Sequence, residues 1–240
     1  PLNQPRFEAR VGRVTEGCAI LQAGDAIYLA GNGASPQGDR PFLDRLNLKT
    51  LTTERVFQTD DKSYETVAAL LSDDGKRLVT RWETKTDYPN YYVRDLTAGT
   101  RTALTQFKDP APQLTGIQKQ LVTYDRKDGV KLSATVYLPP DYKPGTRLPF
   151  VLWAYPAEFT DAATASQVSG SPHRFTTIGG ASHLLFLTQG YGVMDNPTMP
   201  IVGAGETAND TYVEQLMASA EAAIDKIVDI FRARVRKGRN

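Results

Sequence analysis

The spacing of apolar and polar positions changes character near residue 110. Before that point the apolar residues come in short alternating runs separated by polar turns. Residues 26–33 (AIYLAGNG) and 77–84 (RLVTRWET) each read as a strand. Each is followed by a polar turn and a second strand that opens on proline, 41–48 (PFLDRLNL) and 89–96 (PNYYVRDL). A threonine-containing turn then leads to a third short strand, 54–58 (ERVFQ) and 101–106 (RTALTQ). Residues 72–78 (SDDGKRL) add an Asp-Gly turn of the kind that joins antiparallel strands.

The two units are offset by 48 residues at their prolines and by 51 at their first strands. A period near 50 with about four short strands per unit is how propeller blades repeat. Two unrelated meanders with similar turns would give the same pattern. Two blades do not close a ring, because propellers need about 4–8. Residues 1–112 are therefore expected to be the C-terminal part of a propeller.

Beyond the break at Asp109-Pro110-Ala111-Pro112, residues 118–126 and 130–138 flank Lys127-Asp128-Gly129 and alternate along both arms. This predicts an antiparallel hairpin with one covered face. Residues 148–159 (LPFVLWAYPAEF) lack alternation, as a strand buried on both faces of a parallel sheet does. Residues 179–189 predict a short helix that Gly190 stops, and 191–194 (YGVM) a further buried strand. Strand, helix, strand in this order make a parallel crossover. Residues 211–229 carry apolar side chains at Tyr212, Val213, Leu216, Ala220, Ile224, Ile227 and Val228, the stripe of an amphipathic helix. Asn209 or Asp210 is placed to cap it, and Thr211 with Glu214 fits a capping box. Residues 113–230 thus read as an α/β region.

Composition is that of an ordinary globular chain, with 40% apolar residues in 240. No apolar run reaches the ~18 residues that span a bilayer. A single cysteine, Cys18, cannot form an internal disulfide or a cysteine metal cluster. Net charge is +1, but five of the 28 bases fall in residues 231–240 (FRARVRKGRN), leaving 23 bases against 27 acids elsewhere. That basic tail has three readings: an end that binds nucleic acid or an acidic surface, a solvated disordered end, or sequence foreign to the fold, the last being favoured. Nucleic acid, membrane, metal and cofactor are not expected; the compartment and oligomeric state stay open.

Candidate chemistry is sparse. A nucleophile elbow, G-x-S-x-G, is absent; Gly180-Ala181-Ser182-His183-Leu184 fails at its last position and precedes a strand. Ser182 reads as a helix-start residue. His173 and His183 are the only histidines and read as loop or surface residues. Gly203-Ala204-Gly205 lacks the third glycine of a dinucleotide loop and reads as a turn.

Residues 150–159 with 191–229 resemble the prolyl oligopeptidase family of serine peptidases (S9). The phrases YGVMDNPTMPIVG and NDTYVEQL are similar to its glutamyl endopeptidase branch. The resemblance implies the fold class: about two C-terminal β-propeller blades, then an incomplete α/β-hydrolase domain, with residues 113–230 as its N-terminal half. It also implies a peptide substrate, cleaved after glutamate. In that family a tyrosine just past the third sheet strand donates to the oxyanion, and Tyr155 matches it by position. A phenol at a strand's carboxyl end beside Pro156 suits that task. Arg174 is a candidate cation for an acidic side chain. The family's triad serine, aspartate and histidine lie beyond the matching region, so the chain is expected to be catalytically inactive alone. The family's elbow strand would lie in mid-sheet, so residues 151–154 and 191–194 are expected to expose edges.

Overall fold

The structure, a computed structural model, describes residues 7–9, 11–14, 17–20, 22–207 and 209–237, with side chains for 22–207 and 209–231. Five strands form the first sheet: β1 (Phe7–Ala9), β4 (Gln22–Ala23), β5 (Ala26–Gly31), β6 (Phe42–Asn47) and β7 (Thr53–Gln58). Their order is β1-β5-β6-β7, with β4 also on β5 and all pairs antiparallel. Between β1 and β4, β2 (Val11–Val14) and β3 (Gly17–Ile20) make a separate hairpin. A second antiparallel sheet follows: β8 (Tyr64–Leu70), β9 (Arg77–Glu83), β10 (Asn90–Asp95) and β11 (Thr100–Ala103), each beside the next in sequence. Tyr28, Leu43 and Phe57 of one sheet pack on Val67 and Leu78 of the other. The six strands read from alternation are there, and β8 completes the second unit.

Three carboxylates are buried in these sheets, and each has an arginine. Asp44 pairs with Arg55, Glu83 with Arg81, and Glu65 with Arg94 through two bonds of 2.7 and 2.6 Å. A buried carboxylate without such a partner would be costly; Asp44–Arg55 joins adjacent strands, Arg94 reaches Glu65 across β9, and Arg81 and Glu83 share β9.

The second half is built on a mixed sheet of order β12-β13-β16-β14. Its strands are β12 (Gln118–Asp125), β13 (Lys131–Leu138), β14 (Phe150–Trp153) and β16 (Gly192–Asp195). The predicted hairpin is β12–β13, in register from Gln118↔Leu138 to Asp125↔Lys131. β16 runs antiparallel to β13 and parallel to β14, completing the predicted crossover. Its connecting helix, His183–Gln189, is 3₁₀, and Gly190 caps it at φ 79°. β15 (Pro156–Phe159) and β17 (Met199–Val202) form a separate parallel pair.

Four expectations need correction here. β13 is buried on both faces, since Ala134, Val136 and Leu138 face a helix while Ser133 and Tyr137 are also enclosed. The run 148–159 is two strands in two sheets. β14 is a half-buried strand that pairs only with β16 among the described residues, so it is covered less than its composition suggests. Residues 192–194 expose no edge, because β16 is paired on both sides. The long helix, α2 (Tyr212–Lys237), continues past 230 into the basic tail.

α2 covers one face of the mixed sheet. Ala223 and Ile227 pack on Val122, Ala134, Val136 and Met194, and Phe231 meets Phe150 and Tyr142 at ring distances of 5.1 and 6.0 Å. Val213, Met217, Ile224 and Val228 point outward. The expected stripe therefore mixes two faces of the helix. Thr211 Oγ1 accepts from the Gln215 side-chain amide at 2.9 Å, and no bond from Glu214 is among those described. Arg126 locks the hairpin end to this helix. Buried, it donates to Asp128 twice (2.9 and 2.8 Å), to Pro200 O (2.8 Å), to Ser219 Oγ (3.1 Å) and to Gln215 Oε1 (3.1 Å). All its polar atoms thus find partners, which is what lets a cation be buried.

Candidate active site

The sheets of the first half and the mixed sheet of the second enclose a cavity of about 560 Å³. Its second-half wall begins with the alternating face of β13. Thr135 and Tyr137, polar positions that alternation would assign to solvent, line it instead. Asp195 and Asn196 enter from the carboxyl end of β16, and Tyr155 from the carboxyl end of β14. Tyr64, Arg81 and Glu83 enter from β8 and β9. This is where parallel strands deliver loop residues.

The loop after β16 is anchored by its main chain. Asn196 N–H donates to Trp153 O and Thr198 N–H to Ser133 O, both at 2.8 Å. Ser133 N–H returns a bond to Thr198 Oγ1 at 2.9 Å. The loop carrying Arg174 is tied to the first half. Gly170 O accepts from Asp39 N–H at 2.8 Å while Gly170 N–H donates to Asp39 Oδ2 at 3.1 Å. Phe175 N–H donates to buried Glu83 at 2.8 Å. Gly38 sits at φ 110°, and a Cβ there would lie 2.6 Å from Gly170 O, so glycine is required for the two halves to meet.

Tyr155 and Arg174, nineteen positions apart, line the same cavity. Tyr155 lies between β14 and β15, so strand pairing holds its main chain on both sides. Its side chain is 86% exposed, and its hydroxyl makes no hydrogen bond among the described residues. It is an uncommitted donor. Arg174 is exposed, with its guanidinium 5.1 Å from the Tyr64 ring centroid.

Two features escaped the sequence reading. The first corrects the assignment of His183 to a loop or surface. His183 Nε2 is 2.7 Å from Asp195 Oδ1, and its ring stacks on Trp153 at 4.8 Å and 10°. Histidine and aspartate stand twelve positions apart at either end of the short helix and β16; the parallel crossover brings them together, and no local motif records it. The second is Lys119 on β12, which resembles an ordinary surface lysine of an alternating strand. Its ammonium donates to Arg174 O and lies 6.0 Å from the Tyr137 ring centroid. Burial, and next the positive charge of Arg174, push the Lys119 ammonium down to about 8. Burial, reinforced by the Asp195 charge, pushes the Tyr137 hydroxyl up to about 12.

The remaining sequence candidates fall elsewhere. Ser182 caps the 3₁₀ helix, accepting from Leu184 N–H at 3.2 Å. His173 sits in the 170–178 loop. No hydroxyl among the described residues bonds to either histidine ring. Gly203 to Gly205 form the turn into a single 3₁₀ turn, Gly205–Thr207. The tail's side chains from 232 onward lie outside the described residues. The site therefore offers a phenol donor and the cations Lys119 and Arg174, without an activated nucleophile among the described residues.

The chain aligns at 45% identity over 214 residues with the Oryza sativa subsp. japonica protein named "Probable glutamyl endopeptidase, chloroplastic". The Arabidopsis thaliana protein of the same name aligns at 43% over 217 residues. The chain is similar to one segment of these proteins. The matches take in 84% and 85% of the chain but only 23% of each relative, so it spans about a quarter of their length. No family model matches. Among solved structures, oligopeptidase B from Leishmania major superposes with TM-score 0.54 at 11% identity, covering 90% of this chain and 29% of that one. The AtxE2 isopeptidase without ligand gives 0.52 at 18%, covering 88% and 31%. A prolyl endopeptidase gives 0.52 at 15%, covering 95% and 30%. At such identities the likeness concerns the fold: these are prolyl oligopeptidase-type structures with β-propeller and α/β-hydrolase parts. The named relatives and the structural neighbours are peptidases.

Proposed function

We propose that this chain is a segment of a prolyl oligopeptidase-family serine endopeptidase. Residues 1–112 would be its last propeller blades and 113–230 the opening half of its hydrolase domain. In the longer protein, Tyr155 would donate its hydroxyl to the oxyanion of a tetrahedral intermediate formed by a serine outside this segment. Arg174 would face an acidic side chain of the peptide. The observation that carries this reading is the cavity itself: Tyr155 from the end of β14 and Arg174 from the loop within the crossover both line it.

The sequence holds no G-x-S-x-G elbow and no hydroxyl among the described residues pairs with a histidine, so the chain alone should hydrolyse nothing. A fluorophosphonate probe checks this, because it labels only activated serines. No labelling of the 240-residue chain is expected, and stoichiometric labelling would overturn the reading.

A second reading is favoured by the open side of β14 and the outward row Val213, Met217, Ile224 and Val228 on α2. It makes the chain a non-catalytic element that self-associates or binds a partner. Size-exclusion chromatography separates the two, since a discrete soluble oligomer belongs only to the second.

A further inference from the structure

The carboxylates in the cavity wall are engaged. Glu83 binds Arg81 and Phe175 N–H, Asp195 faces His183, and Asp39 accepts from Gly170 N–H. The cations are not matched in the same way. Among the described residues neither Lys119 nor Arg174 pairs with a carboxylate. They are held close by the Lys119 bond to Arg174 O, although their charges repel. An ammonium has three N–H donors, and among the described residues one is used, to Arg174 O. The guanidinium has five and rests on an aromatic face. The half-buried Lys119 ammonium, bonded to the Arg174 main chain, feels the Arg174 charge, and an anion reaching both cations would stabilise them.

We infer that Lys119 and Arg174 together form the subsite for an acidic peptide side chain, one carboxylate bridging the ammonium and the guanidinium. Lys119 comes from the hairpin and Arg174 from the loop clasped to the first half, so the subsite exists only when the two halves are closed. This rests on the peptidase reading for its substrate class. It goes further in naming Lys119 as a specificity-determining residue and in requiring a pH dependence. The charged groups acting on Lys119 are Arg174, which lowers its proton affinity, and Glu83 and Asp195, which raise it. Free Lys119 loses its proton near pH 8, so an acidic ligand binds best below that pH and progressively less well above it.

Calorimetric titration of the full chain with two blocked tripeptides, acetyl-Ala-Glu-Ala-amide and its Gln counterpart, tests this. At pH 7 the Glu peptide should bind about tenfold or more tightly than the Gln peptide, as charge-assisted bonds require. That advantage should shrink as pH passes 8. Lys119→Met should abolish it. Lys119→Arg should keep it and remove the pH dependence, because guanidinium stays charged. Equal binding of the two peptides, a full Glu preference in Lys119→Met, or no binding of either peptide at millimolar concentration overturns the subsite. The peptidase reading is scored separately, by cleavage in a chimera where this chain replaces the matching segment of the rice relative. Cleavage without Glu preference sinks the subsite and keeps the peptidase. Preference in binding without cleavage does the reverse.

Discussion

Gly192 decides how β14 and β16 lie against each other. It stands opposite Phe150 in the parallel register, and a Cβ there would come within 2.3 Å of the Phe150 ring. The ring occupies the space a side chain would need, and Phe231 of α2 closes on it from the other side. Gly192→Ala should destabilise the fold by about 1–3 kcal/mol, the usual cost of overpacking a filled core. Denaturant unfolding measures this, and an unchanged midpoint would show that Phe150 is free to move. The same packing places Trp153 beside the His183–Asp195 pair, three residues along from Phe150. Gly192 thus lies three positions before Asp195 on the strand whose end holds the His183–Asp195 pair.

At the level of elements, α2 carries the sharpest test. Its inner face ends at Phe231, in a stretch whose basic composition suggests a separate tail. Phe231→Ala should cost about 2–3 kcal/mol, since it removes two edge-to-face ring contacts from the core. Ile224→Ala, on the outward face, should change stability by less than about 0.5 kcal/mol. Equal losses would mean that the helix faces are assigned wrongly. The sequence exposed this helix clearly but blurred its faces, because apolar residues occupy both sides and spacing alone does not rank them. The strands of residues 26–103 were legible because their alternation is clean and their turns carry proline or Asp-Gly. Residues 148–159 were less so. Their unbroken apolar composition concealed a change of sheet at Tyr155, where Pro156 starts a strand paired with β17 and not β16. The site was legible in part. Tyr155 and Arg174 came from resemblance and residue chemistry, whereas Lys119 and the His183–Asp195 pair are created by long-range pairing that leaves no local pattern.

For the whole molecule, the cavity depends on contact between its two halves. Asp39 and Glu83 of the first half hold the main chain of Gly170 and Phe175 on either side of Arg174. The mixed sheet supplies Tyr155 and Lys119 from the other side. Neither half alone forms the site, which accounts for the loop's bonds running across the boundary. Tyr155 is exposed and contributes nothing to core packing, so in the proposed reading its task in the longer protein would be contact with the reacting oxygen. The direct test is Tyr155→Phe in the chimera with the rice relative, measured as kcat and KM on a glutamyl peptide. Loss of one oxyanion donor should lower kcat by about 10²–10³-fold and leave KM nearly unchanged. A Tyr155→Phe variant with unaltered kcat would contradict the role assigned to this residue.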